Sequence, residues 1–280
     1  MQQPYGRIRG DFSPPRRQPW PSCGRIEGER RKDGFAQTHK DSNSHSRMTG
    51  CFAHLEGAVT AGVCARWLAS IERSYAADKK DFSPYSSSMR LFSIPEIEPD
   101  AVRTALSGSG LIASCERALG GPVVCDADEC WTRRQYAPGN YPPLHAPHSW
   151  HQDGALRFDF HARSGRQPPP EAVLDMMTCW IPLTECGVSA PGMELVTRRP
   201  EGLVAPADLT DDRVRARFAP QEFWQPVMQT GDALMFRGGV LHRTHVTPTM
   251  TKERTSVELR LFPAHRIPER LKGDRFVPFA

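Results

Sequence analysis

The chain contains no apolar run approaching the roughly 20 residues needed to span a bilayer, and its N-terminus has no apolar h-region of a secretory signal. Both absences point to a cytoplasmic protein. Its eight cysteines (23, 51, 64, 115, 125, 130, 179 and 186) include no Cys-x-x-Cys pair, and Cys125 and Cys130 are too loosely patterned for a zinc motif. Reduced, mostly buried thiols are the expectation, as in other cytosolic proteins. There is no internal repeat. The body also lacks a charge surplus. Residues 1–47 hold ten Lys/Arg against five Asp/Glu, leaving 26 basic and 27 acidic side chains for residues 48–280 out of the chain's 36 and 32. The formal +4 therefore belongs to the N-terminal segment. A near-neutral body argues against nucleic-acid binding, which concentrates positive charge on one face.

Residues 1–47 have almost no apolar periodicity, with Pro14-Pro15, Arg16-Arg17 and the polar run Asp41–Ser46. Such a segment buries too little apolar surface to offset its ordering entropy, so disorder is predicted. A polybasic interaction tail and a true start at Met48, where composition changes abruptly, are the alternatives. The intact mass of natively expressed protein separates the last of these.

The remaining 233 residues suffice for one sizeable domain. Val59, Val63, Trp67, Ile71 and Tyr75 recur every four residues and predict a helix over Leu55–Lys79. Residues 80–97 read as a Ser/Pro-rich loop. A second helix is predicted over Pro99–Leu119, with Pro99 at its first position and Gly120-Gly121-Pro122 as its stop. Then the pattern turns to strands: Val123–Tyr136, Trp150–Gly154, Met176–Leu183, Met193–Val196, Val227–Met228, Ala233–Phe236 and Ser256–Phe262. Ala137–His148 is a long Pro-rich connection, and a short helix is expected at Ala207–Phe218. Helices over 55–119 followed by short strands over about 123–263 predict an α+β chain with a mainly β core, a sandwich or barrel.

The chemistry centres on His151-Gln152-Asp153. Residues i and i+2 of a strand face the same way, so His151 and Asp153 suit one metal ion. Two His and a carboxylate that leave adjacent positions open suit non-haem Fe(II). Alone, the tripeptide is a weak signal, since a surface His–Asp pair reads the same. Asp159-Phe160-His161 has the elements reversed, His145 and His148 lie nearby, and His245 follows His242 by three. The downstream series Gly231-Asp232, Phe236, Leu241-His242-Arg243-Thr244 and Glu253-Arg254-Thr255-Ser256 strengthens it. If adjacent antiparallel strands carry His242 and Arg254, both reach one cavity, where the planar fork of Arg254 matches a carboxylate.

The ordered set Trp150-His151-Gln152-Asp153-Gly154, Cys179-Trp180-Ile181-Pro182-Leu183, His242-Arg243-Thr244, Arg254 and Arg260 resembles the phytanoyl-CoA dioxygenase family of Fe(II)/2-oxoglutarate-dependent oxygenases, over roughly Val123–Phe262. The resemblance implies a double-stranded β-helix of jelly-roll or cupin type with N-terminal flanking helices. It implies His151, Asp153 and His242 as iron ligands and catalytic residues, with Fe(II), 2-oxoglutarate as co-substrate and O2. It further implies Arg254 at the distal carboxylate of 2-oxoglutarate, helped by Thr244 and walled by Trp180. Ser256 fits an Arg-x-Ser pattern of related oxygenases, or is a plain strand residue. Where the family has a Pro-Gly-Ser-His-like run, this chain has Ala190-Pro191-Gly192-Met193-Glu194 and no Ser-His. Related halogenases lack the carboxylate, so Asp153 favours hydroxylation of a small organic molecule.

Arg237 and Arg243 are either ligands for an acidic substrate or, the favoured reading, solvated charges. Gln135 and Tyr136 are candidates for the pocket wall, although Tyr136 reads better as packing. A zinc hydrolase with the same three ligands, or a non-catalytic cupin-type binding protein, are the rival classes. The identity of the substrate and the oligomeric state are not written in the sequence, and no run in the body is basic enough to demand a CoA phosphate.

Overall fold

The computed structural model describes residues 47–48, 51–77, 87–141, 145–163 and 168–279; the expectation for residues 1–47 lies outside them apart from Arg47. In chain order the elements are β1 (Arg47–Met48), β2 (Phe52–Leu55), α1 (Ala61–Ala77), β3 (Ser87–Arg90), α2 (Pro99–Leu106), α3 (Leu111–Leu119), β4 (Val123–Asp126) and β5 (Trp131–Gln135). Then follow β6 (Met177–Pro182), β7 (Gly192–Val196), α4 (Asp211–Arg217), β8 (Phe223–Trp224), β9 (Ala233–Arg237), β10 (His242–His245), β11 (Arg254–Pro263) and β12 (Phe276–Pro278). The architecture is mainly β with few helices. Among the described residues no helix is long and apolar enough to cross a membrane.

Two sheets form. The larger runs β1-β2-β9-β6-β11, and the far edge of β11 pairs with β5 over its first half and with β4 over its second. β3 extends it beyond β5 and β12 beyond β4. The smaller sheet is β10-β7-β8. Alternation along the central strands explains the layering. Met177, Cys179 and Ile181 of β6, Met235 of β9 and Val257, Leu259 and Leu261 of β11 join one apolar cluster with Trp67 and Ile71 of α1, Leu106 of α2 and Leu111 and Cys115 of α3. Each such side chain removed from water contributes about 1.5–3 kcal/mol. On the opposite face Trp180, Leu234 and Phe236 pack with Met193 and Leu195 of the smaller sheet. The same face of β11 carries Arg254, Ser256, Glu258 and Arg260, all buried. A strand with a polar face normally shows that face to water; here the polar face looks into a cavity between the sheets.

Several expectations need correction. The helix predicted from Leu55 begins at Ala61, because Phe52–Leu55 pairs with β9 as a strand. Ser87–Arg90, placed in a loop, pairs with β5. The helix over Pro99–Leu119 is two, broken at Ser107–Gly110, where Gly110 adopts φ 70°. Pro99 does open α2, and Gly120 at φ 80° ends α3 with its N–H on the Glu116 carbonyl at 2.8 Å. Val123–Tyr136 is interrupted at Ala127–Cys130, yet both pieces lie along the same edge of β11. Trp150–Gly154 is not a continuous strand: His151 makes a single bridge and Asp153 opens a 3-10 turn to Ala155. Cys51, Cys64, Cys115, Cys125, Cys130, Cys179 and Cys186 are all buried free thiols.

Candidate metal centre

One antiparallel bridge assembles the two histidines. His151 N–H donates to the His242 carbonyl at 3.0 Å, and His242 N–H to that of His151 at 3.1 Å, so the rings lie 4.1 Å apart between centroids. Gln152 then points away. Its Nε2 donates to the Gly202 and Gly239 carbonyls (3.1 and 2.9 Å) and its Oε1 accepts from Val204 N–H at 2.7 Å, fixing the strand–turn junction. The following turn swings Asp153 back toward the rings. It needs glycine at 154: the Gly154 N–H donates to the Gly238 carbonyl at 2.7 Å, and a Cβ there would lie 2.8 Å from that oxygen and from Val173 Cγ1.

The donor atoms converge. Asp153 Oδ1 is 3.7 Å from His151 Nε2 and Oδ2 is 3.7 Å from His242 Nε2. Carbonyls set the tautomers, since a carbonyl only accepts: His151 Nδ1–H donates to Ser149 O at 2.7 Å and His242 Nδ1–H to Val240 O at 3.1 Å. Both Nε2 lone pairs are thus free for an ion, as in ligating histidines whose other ring nitrogen donates to a carbonyl. Burial lowers the pKa of both imidazoles, that of His151 to about 3, so they stay neutral at pH 7, the form that binds metal. Burial alone would raise the Asp153 carboxyl. The Arg260 charge, the two rings and the Thr178 hydroxyl outweigh it and hold the group well below the usual carboxylate range. Arg260 Nη2 lies 3.1 Å from Oδ1, and Thr178 Oγ1 donates to Oδ2 at 2.6 Å. A two-His, one-Asp donor set of this kind fits Fe(II).

His151, Asp153, His242, Trp180, Thr244 and Arg254 all line one cavity. Ser256 is not on its lining, although it shares the inner face of β11 with Arg254 and its Oγ has no hydrogen-bond partner. Arg254 is 2% exposed, its Nε and Nη1 are unpartnered, and the guanidinium stands 5.0 Å from the Trp180 ring centre, whose Nε1 is also unpartnered. Burial pushes the Arg254 pKa down to about 10, which leaves it cationic at neutral pH. His242 and Arg254 do not sit on neighbouring strands, as the sequence suggests. β10 belongs to the smaller sheet and β11 to the larger, and the two residues meet across the cavity.

Of the other candidates Arg243, His148 and Gln135 also line the cavity, and the rest fall elsewhere. Arg243 pairs with Glu194 at 2.6 Å and Asp211 at 2.8 Å, and Arg237 with Asp175 at 2.9 Å, so both are bound into ion pairs instead of being solvated. His145 accepts or donates with Gln135 at 2.8 Å, and Asp159 caps the turn at His161 and Ala162. Gln135 lines the cavity, whereas Tyr136 packs edge-on against His145. Sequence reasoning missed Thr178, Glu258 and Arg133, which also line it. The signal was available: Thr178 alternates with Trp180, and Glu258 with Arg254, at strand period.

A mainly β fold with this donor set and a buried, unpartnered arginine across one cavity has the features of the metal-dependent oxygenases that use an acid co-substrate. The model of the phytanoyl-CoA dioxygenase (PhyH) family matches residues 51–251. The chain belongs to that family. No curated protein matches the sequence. In fold the chain is similar to the epimerase SnoN in complex with Fe3+, alpha ketoglutarate and nogalamycin RO (16% identity, 76% of this chain and 79% of that one, TM-score 0.51). It is also similar to EctD from S. alaskensis in its apoform (14%, 80% and 78%, 0.54) and to HygX from Streptomyces hygroscopicus with nickel and 2-oxoglutarate bound (14%, 81% and 91%, 0.52).

Proposed function

We propose that residues 48–280 form an Fe(II)- and 2-oxoglutarate-dependent dioxygenase that hydroxylates a C–H bond of a small organic substrate, with release of succinate and CO2. The observation that carries this reading is Arg254, a buried guanidinium with free Nε and Nη1 on the cavity that holds the His151–Asp153–His242 set. A zinc hydrolase has no use for such a cation, and a binding protein no use for an oriented ligand set beside it. The two facing sheets are read as the double-stranded β-helix.

In this reading His151, Asp153 and His242 hold the iron. Arg254 would take the distal carboxylate of 2-oxoglutarate through paired N–H donors, Thr244 would offer its hydroxyl to it, and Trp180 would wall its chain; Ser256, off the lining, is left out of this contact. When bound, Fe(II) with 2-oxoglutarate and O2 supplies the oxidising power for the C–H bond. The chain supplies orientation. The Ser149 and Val240 carbonyls lock the rings, while Arg260 and Thr178 hold one oxygen each of Asp153, so the carboxylate cannot swing away from the ion. With Asp153 in the donor set, hydroxylation is favoured over halogenation.

Anaerobic addition of Fe(II) and 2-oxoglutarate should give a weak visible charge-transfer band, and admission of O2 should give succinate; a protein that shows neither is not this enzyme. SnoN is described as an epimerase, so the product mass decides the outcome at carbon. Gain of one oxygen supports hydroxylation, and an unchanged mass would replace it with epimerisation.

A further inference from the structure

The inner face of the larger sheet carries a second guanidinium whose work the metal centre does not account for. Arg133 of β5 sits opposite Ser256 of β11, and Gln135 opposite Arg254. The Arg133 side chain is 15% exposed, and what it faces is the cavity. Its Nε is clamped to Glu258 Oε1 at 2.7 Å. Glu258 Oε2 lies 3.4 Å from Arg260 Nη2, and Arg260 lies 3.1 Å from Asp153. Four charges of alternating sign thus run from Arg133 to the metal ligand. The chain of contacts holds the Arg133 guanidinium by one edge. Its other edge, Nη1 and Nη2, has no hydrogen-bond partner among the described residues, and the residue lines the same cavity as Arg254.

Charge across the cavity favours one kind of guest. The alternating chain from Arg133 to Asp153 sums to zero. Arg243 is neutralised by Glu194 and Asp211. With a divalent ion in place, and with the two carboxylates of the co-substrate opposite the ion and Arg254, one positive charge is left over. Arg133 lines the same cavity as His148, His151 and Arg254, and its place opposite Ser256, two residues along β11 from Arg254 and two from Glu258, sets it between the Arg254 end and the metal end. Resting on the oxygenase reading above, we propose that Arg133 is the specificity-determining residue of this site and that it selects a compact substrate bearing an oxyanion, a carboxylate or a phosphate or sulfate ester. An open guanidinium fork takes such a group through two parallel N–H donors, which a single ammonium cannot reproduce while also holding Glu258.

The test uses the full chain loaded anaerobically with Fe(II) and 2-oxoglutarate, so that nothing turns over. A small-molecule extract of the cells that natively express the protein is split by ion exchange into anionic and non-anionic fractions. Each fraction is incubated with protein, and molecules retained on ultrafiltration, other than 2-oxoglutarate and succinate, are identified by mass. Arg133→Gln removes the charge, Arg133→Lys keeps a partner for Glu258 should the first variant fold poorly, and Arg134→Gln is the matched control. Arg134 lies on the opposite face of the same strand, its guanidinium 5.0 Å from the Tyr75 ring centre. The expected result is retention from the anionic fraction, reduced at least tenfold in both Arg133 variants and unchanged in Arg134→Gln, with the charge-transfer band kept throughout; the retained masses then separate carboxylates from phosphate and sulfate esters. Retention from the non-anionic fraction only, retention of nothing, or undiminished retention by the Arg133 variants overturns the proposal. Absence of the charge-transfer band in the unsubstituted protein is a distinct outcome that overturns the oxygenase reading and this proposal with it.

Discussion

Replacing Arg254 by methionine should move stability and co-substrate affinity in opposite directions. In the folded chain the Arg254 guanidinium is 2% exposed with two nitrogens unpartnered among the described residues, and burial, with a smaller push from the Arg133 charge, brings its pKa from 12.5 down to about 10. At about 1.4 kcal/mol per pKa unit, keeping this cation buried costs about 3 kcal/mol. Methionine fills a similar volume with a flexible apolar chain and removes that cost. It also removes the contact with the Trp180 ring, worth about 1 kcal/mol. The protein free of co-substrate should therefore gain about 2 kcal/mol, a Tm rise of about 2–4 °C for each kcal/mol in a domain of this size. Binding goes the other way. Removing one partner of a buried ion pair costs about 3–5 kcal/mol, so 2-oxoglutarate should bind on the order of a hundred- to several-thousand-fold more weakly. Thermal unfolding with and without 2-oxoglutarate, together with anaerobic calorimetry, reads both quantities. An Arg254→Met protein that is less stable without co-substrate, or that binds it within tenfold of the unsubstituted chain, would refute the assignment of Arg254 to the distal carboxylate.

Asp153→Ala should abolish tight Fe(II) binding in equilibrium dialysis, since two imidazoles remain without the carboxylate; full oxygenase activity in this variant would sink the ligand assignment. Thr178→Val deletes the 2.6 Å hydrogen bond to Asp153 Oδ2 and should weaken Fe(II) binding about 10–100-fold, while Thr178→Ser restores it. Gly154→Ala places a Cβ 2.8 Å from the Gly238 carbonyl and Val173, and should cost about 1–3 kcal/mol by denaturant unfolding and loosen the metal site with it. Asp126 is buried with Oδ2 unpartnered, and burial followed by the Asp274 charge pushes its pKa up to about 7. A carboxyl raised in the folded state contributes stability that is present below its unfolded pKa near 4 and is lost as pH rises through about 7. Asp126→Asn should therefore gain on the unsubstituted chain between pH 5 and pH 8; an unchanged difference across that range would refute the raised pKa of Asp126.

The order of the motif residues was legible in the sequence because each depends on local rules. His151 and Asp153 are separated by one residue, and Gln152 between them does face away, whether the segment is a strand or, as found, a bridge followed by a turn. β6, β7, β9 and β11 announce themselves by alternation between turn residues, and α2 and α3 by Pro99 and Gly120. Short elements were less legible. Phe52–Leu55 and Ser87–Arg90 have four residues each and become strands because β9 and β5 offer free edges far along the chain, a partner no local window contains. The break falls on Ser107-Gly108-Ser109-Gly110, a Ser/Gly cluster that marks a turn and that the reading of a single helix from Pro99 passed over.

What the sequence determined alone is therefore the inventory: two imidazoles, one carboxylate and one guanidinium on extended segments, ahead of which come helices with one apolar face. What the tertiary structure decided is where the polar face of β11 looks. Arg254, Ser256, Glu258 and Arg260 alternate with apolar residues just as they would on a strand open to water. The helices cover the apolar face, and the smaller sheet, carrying His242 and Thr244, closes over the other. That closure withdraws the four polar residues from water, pairs Glu258 and Arg260 with each other and with Arg133 and Asp153, and leaves Arg254 a buried cation whose Nε and Nη1 have no hydrogen-bond partner among the described residues, a place for a ligand, because polar groups removed from solvent must find protein or ligand to bond.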